Sequence, residues 1–384
     1  MGSRQGEMEG MAMSSSGPTK DLSVLEGKTV LVTGHTGFKG GWLSLWLDAL
    51  GARVVGYSLD PPTTPSFFEA THLSTKMRDL RNDILDLGSL RHAIMKYNPI
   101  MVFHLAAQSL VLESYESPAV TFNTNVMGTV NVLEAVRKST SVRACICVTS
   151  DKCYENRGWV WGYREIDPMG GYDPYSGSKG AAELAIASYR NSYFEPKSSA
   201  KAAVAISSAR AGNVVGGGDW AKDRIVPDCY RALISNRRIL LRNPDTVRPW
   251  QFVLEPLYGY LLLAINMIRN PTIYSGAWNF GPDRQNHLTV KDLVKEVVAN
   301  WGSGNWNERR SRGRNCCHEA KALALDSSKA NDILQWAPVY SFKESIKETV
   351  DWYRAYADET EDMHRFTRKQ INAYLNRMKS KAET

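Results

Sequence analysis

The chain has 384 residues, of which 43% are apolar and 23% charged, with 47 basic against 40 acidic side chains and a formal net charge of +7. That length buries one large core or two smaller ones, and the composition is that of a globular protein, excluding a disordered or fibrous chain. The small basic excess arrives without zinc-finger spacing or another recognition module, which argues against nucleic acid as a partner.

Residues 1–25 open Gly/Ser/Met-rich and lack an apolar h-region, so they read as a flexible leader and not as a signal peptide. Lys28 to Thr33 is a short apolar strand followed at once by glycines. Gly41 to Leu50 is an amphipathic helix, and Ala52 to Tyr57 the next strand. Ser89 to Tyr97 reads as a helix, Ile100 to Leu105 as a strand, Asn125 to Lys138 as a helix and Ala144 to Val148 as a strand. Ser178 to Tyr193 and Ala203 to Arg210 repeat the pattern. Strands alternating with helices at this spacing predict an α/β fold: a Rossmann-type, doubly wound parallel sheet covered on both faces. It takes up most of residues 26–212.

Beyond Gly212 the glycines at 216, 217 and 218 and the prolines at 227, 244, 249 and 256 break the pattern. A smaller mixed C-terminal substrate-binding region is expected over 213–360, with some segments returning to the main sheet. Phe252 to Ile268 carries Glu255 and Pro256 and is short for a bilayer span, so it reads as a buried helix. No membrane association is expected, and the cytoplasm is the expected compartment. Val290 to Trp301 and Phe342 to Glu359 are helices framing a polar loop, and 361–384 is a charged tail or helix. The six cysteines include no C-x-x-C pair; Cys145 and Cys147 alternate on one face of a strand and read as buried thiols, with no metal site expected.

Thr33-Gly34-His35-Thr36-Gly37-Phe38-Lys39-Gly40 places three glycines between a strand and a helix. Such a turn lets the backbone approach a pyrophosphate, while the helix start offers free N–H groups. Asp60, after the second strand, suits hydrogen bonds from an adenosine ribose and would repel a 2′-phosphate, which favours NAD over NADP. Asp83 and Ile84, after the third strand, either meet the adenine edge or, for Asp83, form a surface turn. Leu105, Ala106 and Ala107 end the fourth strand with residues that let a cofactor lie close, beside a packed His104 and followed by Gln108. Lys39 either reaches a phosphate or is solvated.

Tyr175 and Lys179 lie one helical turn apart on one face. A phenol titrates near pH 10 and needs help to act as a base, which a neighbouring ammonium gives. Tyr175 would take a hydroxyl proton while NAD takes the hydride, and Lys179 would also hold the nicotinamide ribose. Ser150, at a strand end, would hold the substrate oxygen. Asp151 and Lys152 add an acid and an amine. Beside a newly formed ketone they could remove a proton and protonate a leaving hydroxyl, given a raised Asp151 pKa and a neutral Lys152 amine; otherwise they pair in a loop.

The glycine run, Asn125 to Gly128, Ser150 and the Tyr175/Lys179 pair resemble the extended short-chain dehydrogenase/reductase family. Longer strings are similar to its nucleotide-sugar 4,6-dehydratases that take CDP-D-glucose. These are Thr33 to Gly40, Thr149-Ser150-Asp151-Lys152-Cys153-Tyr154, Gly212 to Trp220, Arg248-Pro249-Trp250-Gln251 and His318-Glu319-Ala320. The resemblance spans about Glu26 to Tyr356. It implies C4 oxidation, loss of water across C5 and C6, and hydride return to C6, with NAD as cofactor. Relatives that act on dTDP-glucose carry Asp-Glu where this chain has Asp151-Lys152, so Lys152, a water or another side chain is the C5 base. It also implies substrate contacts from Gln108, Ser150, Asn213, Asp219, Trp220, Arg224 and Arg248. For His318 and Glu319 a nucleoside contact and a plain surface position both remain open. Dimers or tetramers pairing through helices that follow Asn125 and Tyr175 are further implied. Another nucleotide-sugar dehydratase, a 4-epimerase and a non-catalytic NAD-binding scaffold are the alternatives.

Overall fold

The structure, a computed structural model, describes residues 18–194, 204–308 and 323–382. Thr29–Thr33 (β1), Arg53–Ser58 (β2), Arg78–Arg81 (β3), Met101–His104 (β4), Ala144–Val148 (β5), Ala205–Ala211 (β6) and Gly276–Phe280 (β7) form one sheet. Its order is β7-β6-β5-β4-β1-β2-β3, and every neighbouring pair is parallel. Period-two alternation splits each central strand between two cores. Val30 and Val32 enter one, with Trp42 and Trp46 of Phe38–Ala49 (α1); Leu31 enters the other, with Leu90 of Leu87–Tyr97 (α2) and Val132 of Gly128–Arg137 (α3). Cys145 and Cys147 both face the second core as free thiols, as their alternation predicts.

Parallel strands bring all their C-terminal ends to one edge. Gly34, Asp60, Asp83, Leu105, Ser150 and Gly212 therefore lie along that edge, where ligands meet open α/β sheets.

The structure departs from the sequence reading at three places, and it forms a helix where a tail or helix was expected. The helix carrying Tyr175 spans Pro174–Tyr193 (α4), a turn earlier than the periodicity suggested. Asp173 caps it by accepting from the Ser176 backbone N–H at 2.9 Å, and Pro174 occupies the first turn, where its missing N–H costs nothing. The helix expected from Asn125 begins instead as a π-turn over Asn123–Met127, leading into α3. Gly276–Phe280 adds a seventh strand that its short length had hidden; Trp278 and Phe280 bury against Leu254–Arg269 (α5), which packs on β5 and β6. The sequence from Met363 forms the helix Met363–Ala382 (α6), with Ile371 and Tyr374 fully buried.

Tyr374 donates to Glu255 Oε2 at 2.7 Å, and the same carboxylate accepts from the Val339 and Tyr340 backbone at 2.9 and 2.7 Å. Burial pushes Glu255 up to about 7, so this buried anchor of the C-terminal helix is held by three donors. The remainder of the C-terminal half is mixed. Val214–Val215 pairs parallel with Gln251–Phe252, Val247–Pro249 antiparallel with His287–Thr289, and Ile239–Leu241 parallel with Trp306–Glu308. No helix of the described residues is long and apolar enough to cross a membrane.

Candidate active site

The glycine turn is shaped by contacts that no side chain tolerates. Gly34 has φ +76°, and a Cβ there would sit 2.6 Å from the Ala106 nitrogen. At Gly40 a Cβ would lie 2.0 Å from the Gly34 carbonyl oxygen. The turn thus folds onto the end of β4 and aims the N-terminus of α1 along the strand edge, a cradle that fits a dinucleotide pyrophosphate. Gly40→Ala is expected to abolish NAD binding in a fluorescence titration, and retention of wild-type affinity would refute the cradle.

Around it, Thr36 is buried and its hydroxyl pairs with Ser58 at 2.9 Å. Leu105 N–H donates to Thr33 O, and Ala106 N–H to Thr33 Oγ1, which draws the end of β4 against the turn. Asp60 stands nine-tenths exposed beyond β2, 3.5 Å from Arg81. Ile84 is buried against Gly128, where a Cβ would approach within 2.4 Å of its Cδ1. The Asp83 carboxylate accepts from Leu85 N–H at 2.9 Å, so that side chain closes its own turn. His104 is held between Thr33 and Thr129 at 2.8 and 3.0 Å, and burial pushes its pKa down to about 3, a packed neutral imidazole.

The chemical groups converge where β5 ends. Ser150 donates to Asp151 Oδ1 at 3.0 Å and accepts from Lys152 N–H at 3.2 Å. Tyr175 faces Ser150; burial lifts the phenol to about 12, Asp151 adding to the rise while Ser150 and Arg224 oppose it. Burial raises the Asp151 carboxyl as well, against the pull of Lys152, Ser150, Lys39 and Arg248. Lys179 lies 3.5 Å from Val148 O, and burial pushes its ammonium down to about 8, with Glu183 opposing. Lys39, a nucleotide-turn residue, faces Asp151, Lys179 and Arg224; burial and the two cations lower it to about 8. It therefore belongs to both halves of the site.

Arg224 pairs with the buried Asp219 at 2.9 Å and reaches Ser109 at 3.4 Å, crossing the cleft from the C-terminal region to the loop after β4. Arg248 lies close enough to Asp151 to lower its pKa, and Asn213 follows β6, its carbonyl accepting from Gln251 N–H. Two expected contacts are placed differently. The Gln108 amide donates to Leu110 O and Thr121, which commits it to its own loop. Trp220 is packed edge-on against Trp352, Tyr353 and Tyr356, where its ring buries in an aromatic cluster. His318 and Glu319 lie outside the described residues.

Asn125 belongs to the Asn125 to Gly128 string, whereas its neighbours Ser178 and Ser114 carried no distinct sequence signal. Asn125 accepts from Gln108 N–H and donates to Ser178, and Ser178 donates to the Tyr175 carbonyl. Ser114 accepts from the Tyr175 N–H at 3.1 Å. Polar residues of this kind are legible only once the fold brings distant segments together.

A doubly wound parallel sheet with a glycine turn after β1 and Ser150, Tyr175 and Lys179 gathered at its C-terminal edge has the architecture of the extended short-chain dehydrogenases/reductases. A family model described as GDP-mannose 4,6 dehydratase matches residues 31–349, and the chain belongs to that family. It is 48% identical over 357 residues to a CDP-glucose 4,6-dehydratase from Salmonella typhimurium, covering 93% of this chain and 98% of the relative. The fold is shared with a UDP-glucose-4-epimerase of Stenotrophomonas maltophila solved with bound NAD, at TM-score 0.74, 20% identity and coverage of 86% and 99% of the two chains. It is shared also with a dTDP-glucose 4,6-dehydratase of Bacillus anthracis in complex with NAD, at TM-score 0.69, 19% identity and coverage of 85% and 96%.

Proposed function

We propose that this chain is an NAD-dependent 4,6-dehydratase converting CDP-D-glucose to CDP-4-dehydro-6-deoxy-D-glucose and water. The observation that carries this reading is the buried Asp151, hydrogen-bonded to Ser150 beside Tyr175 and Lys179. It adds a carboxyl favoured in its acid form to a set already sufficient for alcohol oxidation. The name of the Salmonella relative supports the choice of nucleotide.

Gly34, Thr36, Gly37, Phe38, Lys39 and Gly40 hold the cofactor pyrophosphate, with Asp60 at its ribose and Asp83, Ile84, Leu105, Ala106 and Ala107 lining the strand edge. A nicotinamide bound there supplies hydride acceptance at C4 and hydride return at C6. Ser150 holds the C4 oxygen and Tyr175 takes its proton, the Lys179 ammonium stabilising the phenolate that does so. The ketone acidifies the C5 proton, which Lys152 removes. Asp151 protonates the C6 hydroxyl as water departs. Arg224 and Arg248 suit the substrate pyrophosphate, since a forked guanidinium matches paired anionic oxygens. Asn213 contacts the sugar nucleotide. Asp219 acts through Arg224, which it orients.

A homodimer or homotetramer fits the exposed apolar side chains Val120, Phe122, Met127 and Leu184, which lie just before α3 and on α4. Incubating the pure protein with CDP-D-glucose and weighing the nucleotide sugar by mass spectrometry tests the reading. Loss of one water is expected; an unchanged mass with inversion at C4 would replace it with a 4-epimerase.

A further inference from the structure

One turn after Lys179 on α4, Glu183 is buried with two hydrogen bonds on each carboxylate oxygen. Thr149 and Arg210 Nε donate to Oε1; Ser208 and the Arg210 terminal nitrogen donate to Oε2, the last two at 2.7 Å each. Arg210 is equally enclosed, and its other terminal nitrogen donates to the Tyr154 hydroxyl at 2.6 Å and to Glu165 O at 3.2 Å. Tyr154 in turn donates to Asn279 of β7 at 2.8 Å.

A bidentate ion pair sealed from water is a costly feature, and replacing one with apolar groups is often neutral for stability. Its position here gives it another use. Thr149 immediately precedes Ser150 and Asp151, Lys179 shares the helix face of Glu183, and Tyr154 closes the short turn that carries Lys152. One carboxylate thus ties the strand end bearing the acid, the helix bearing Tyr175 and Lys179, and β6 into a single unit.

We propose that Glu183, clamped by Arg210, is a positioning residue for the oxidising pair. Its carboxylate is the counter-charge for the buried Lys179 ammonium and the lock that fixes the Thr149–Asp151 turn against α4. The groups facing Lys179 are Glu183 on its own helix, Cys147 of β5, Cys153 of the following turn, Lys39 of the nucleotide turn and His104 of β4. Of these, the cysteine thiols are held protonated by burial and neighbouring groups, His104 is neutral, and Lys39 repels; Glu183 supplies the attractive charge. Burial opposes its ionisation, yet Arg210, Thr149 and Ser208 hold it below the usual carboxylate range.

This rests on the reading of Tyr175 and Lys179 as the oxidising pair. The test is Glu183→Gln, which keeps shape and removes charge, compared with Glu183→Asp, which keeps charge. In Glu183→Gln the alkaline limb of the turnover profile should move down by about one pH unit and turnover at neutral pH fall roughly tenfold. NAD affinity, read by tryptophan fluorescence across pH, should weaken over the same lower range, because Lys179 holds the ribose only as a donor. Glu183→Asp should keep the limb within a few tenths of the wild-type position. A folded Glu183→Gln protein with both profiles superimposed on wild type overturns the proposal, as does an equal shift in Glu183→Asp. Should Glu183→Gln fail to fold, the pair Glu183→Gln with Arg210→Gln does not leave the Arg210 charge buried and unpaired, and it is judged by the same criteria. Full activity in Tyr175→Phe would sink the underlying reading while leaving the shift in NAD affinity intact, so the two failures are distinguishable.

Discussion

Tyr175→Phe should lower turnover of CDP-D-glucose by about a thousandfold, the middle of the range for loss of a positioned general base. The buried ring stays in place, so the thermal midpoint should remain close to wild type. The wild-type profile gives the same residue a second signature. With Tyr175 pushed up to about 12, its basic form gains tenfold per pH unit through the neutral range. The rise should break near pH 8, where Lys179 begins to lose the charge that favours the phenolate. Activity in Tyr175→Phe above a tenth of wild type, or a profile flat from pH 6 to 8, would remove Tyr175 from the role of base.

Separating oxidation from elimination is the second large effect. In Lys152→Ala, C4 oxidation should persist while water loss falls by about two to three orders of magnitude, the scale of one acid–base partner. The 4-keto sugar that retains its C6 oxygen can be trapped with borodeuteride, which marks C4 with deuterium in an otherwise unchanged mass. Asp151→Asn should give the same trapped species for a different reason: its C5 proton still exchanges with deuterated solvent, because the base survives and only the acid is gone. Burial raises the Asp151 pKa, so the wild-type elimination step should weaken as pH climbs through that raised value and its acid form empties. Wild-type dehydration by Lys152→Ala would pass the base role to another group. Lys39 is then the next to examine, since it is half-buried, lowered to about 8 and set beside Asp151.

Much of this was legible in order along the chain. β5 falls on its predicted residues because Ala144–Val148 is uniformly apolar, and Val290–Trp301 does so because Thr289 and Asp292 form a capping box. The Tyr175–Lys179 spacing fixes a shared helix face wherever that helix begins. The glycine turn is likewise readable, since only glycine avoids the clash that a Cβ at position 40 would make, 2.0 Å from the Gly34 carbonyl oxygen. Less local features were hidden. Trp220 follows three glycines in a string that implied a substrate contact, yet its indole is drawn into the cluster of Trp352, Tyr353 and Tyr356. Gln108 sits at the strand edge with a side chain turned to Leu110 and Thr121.

By itself, then, the sequence determined the strand–helix alternation, the nucleotide turn, and which acids and amines stand near one another along the chain. These follow from periodicity, glycine geometry and short spacing, all of them properties of neighbouring residues. The tertiary structure alone decided the protonation landscape. It buries Asp151 and Tyr175 so that both are raised, and lowers Lys179 and Lys39. It also sets Glu183 of α4 against Arg210 of β6. The physical reason is that desolvation and Coulomb attraction depend on distance and water access in space, and segments far apart in the chain meet only when the sheet has formed.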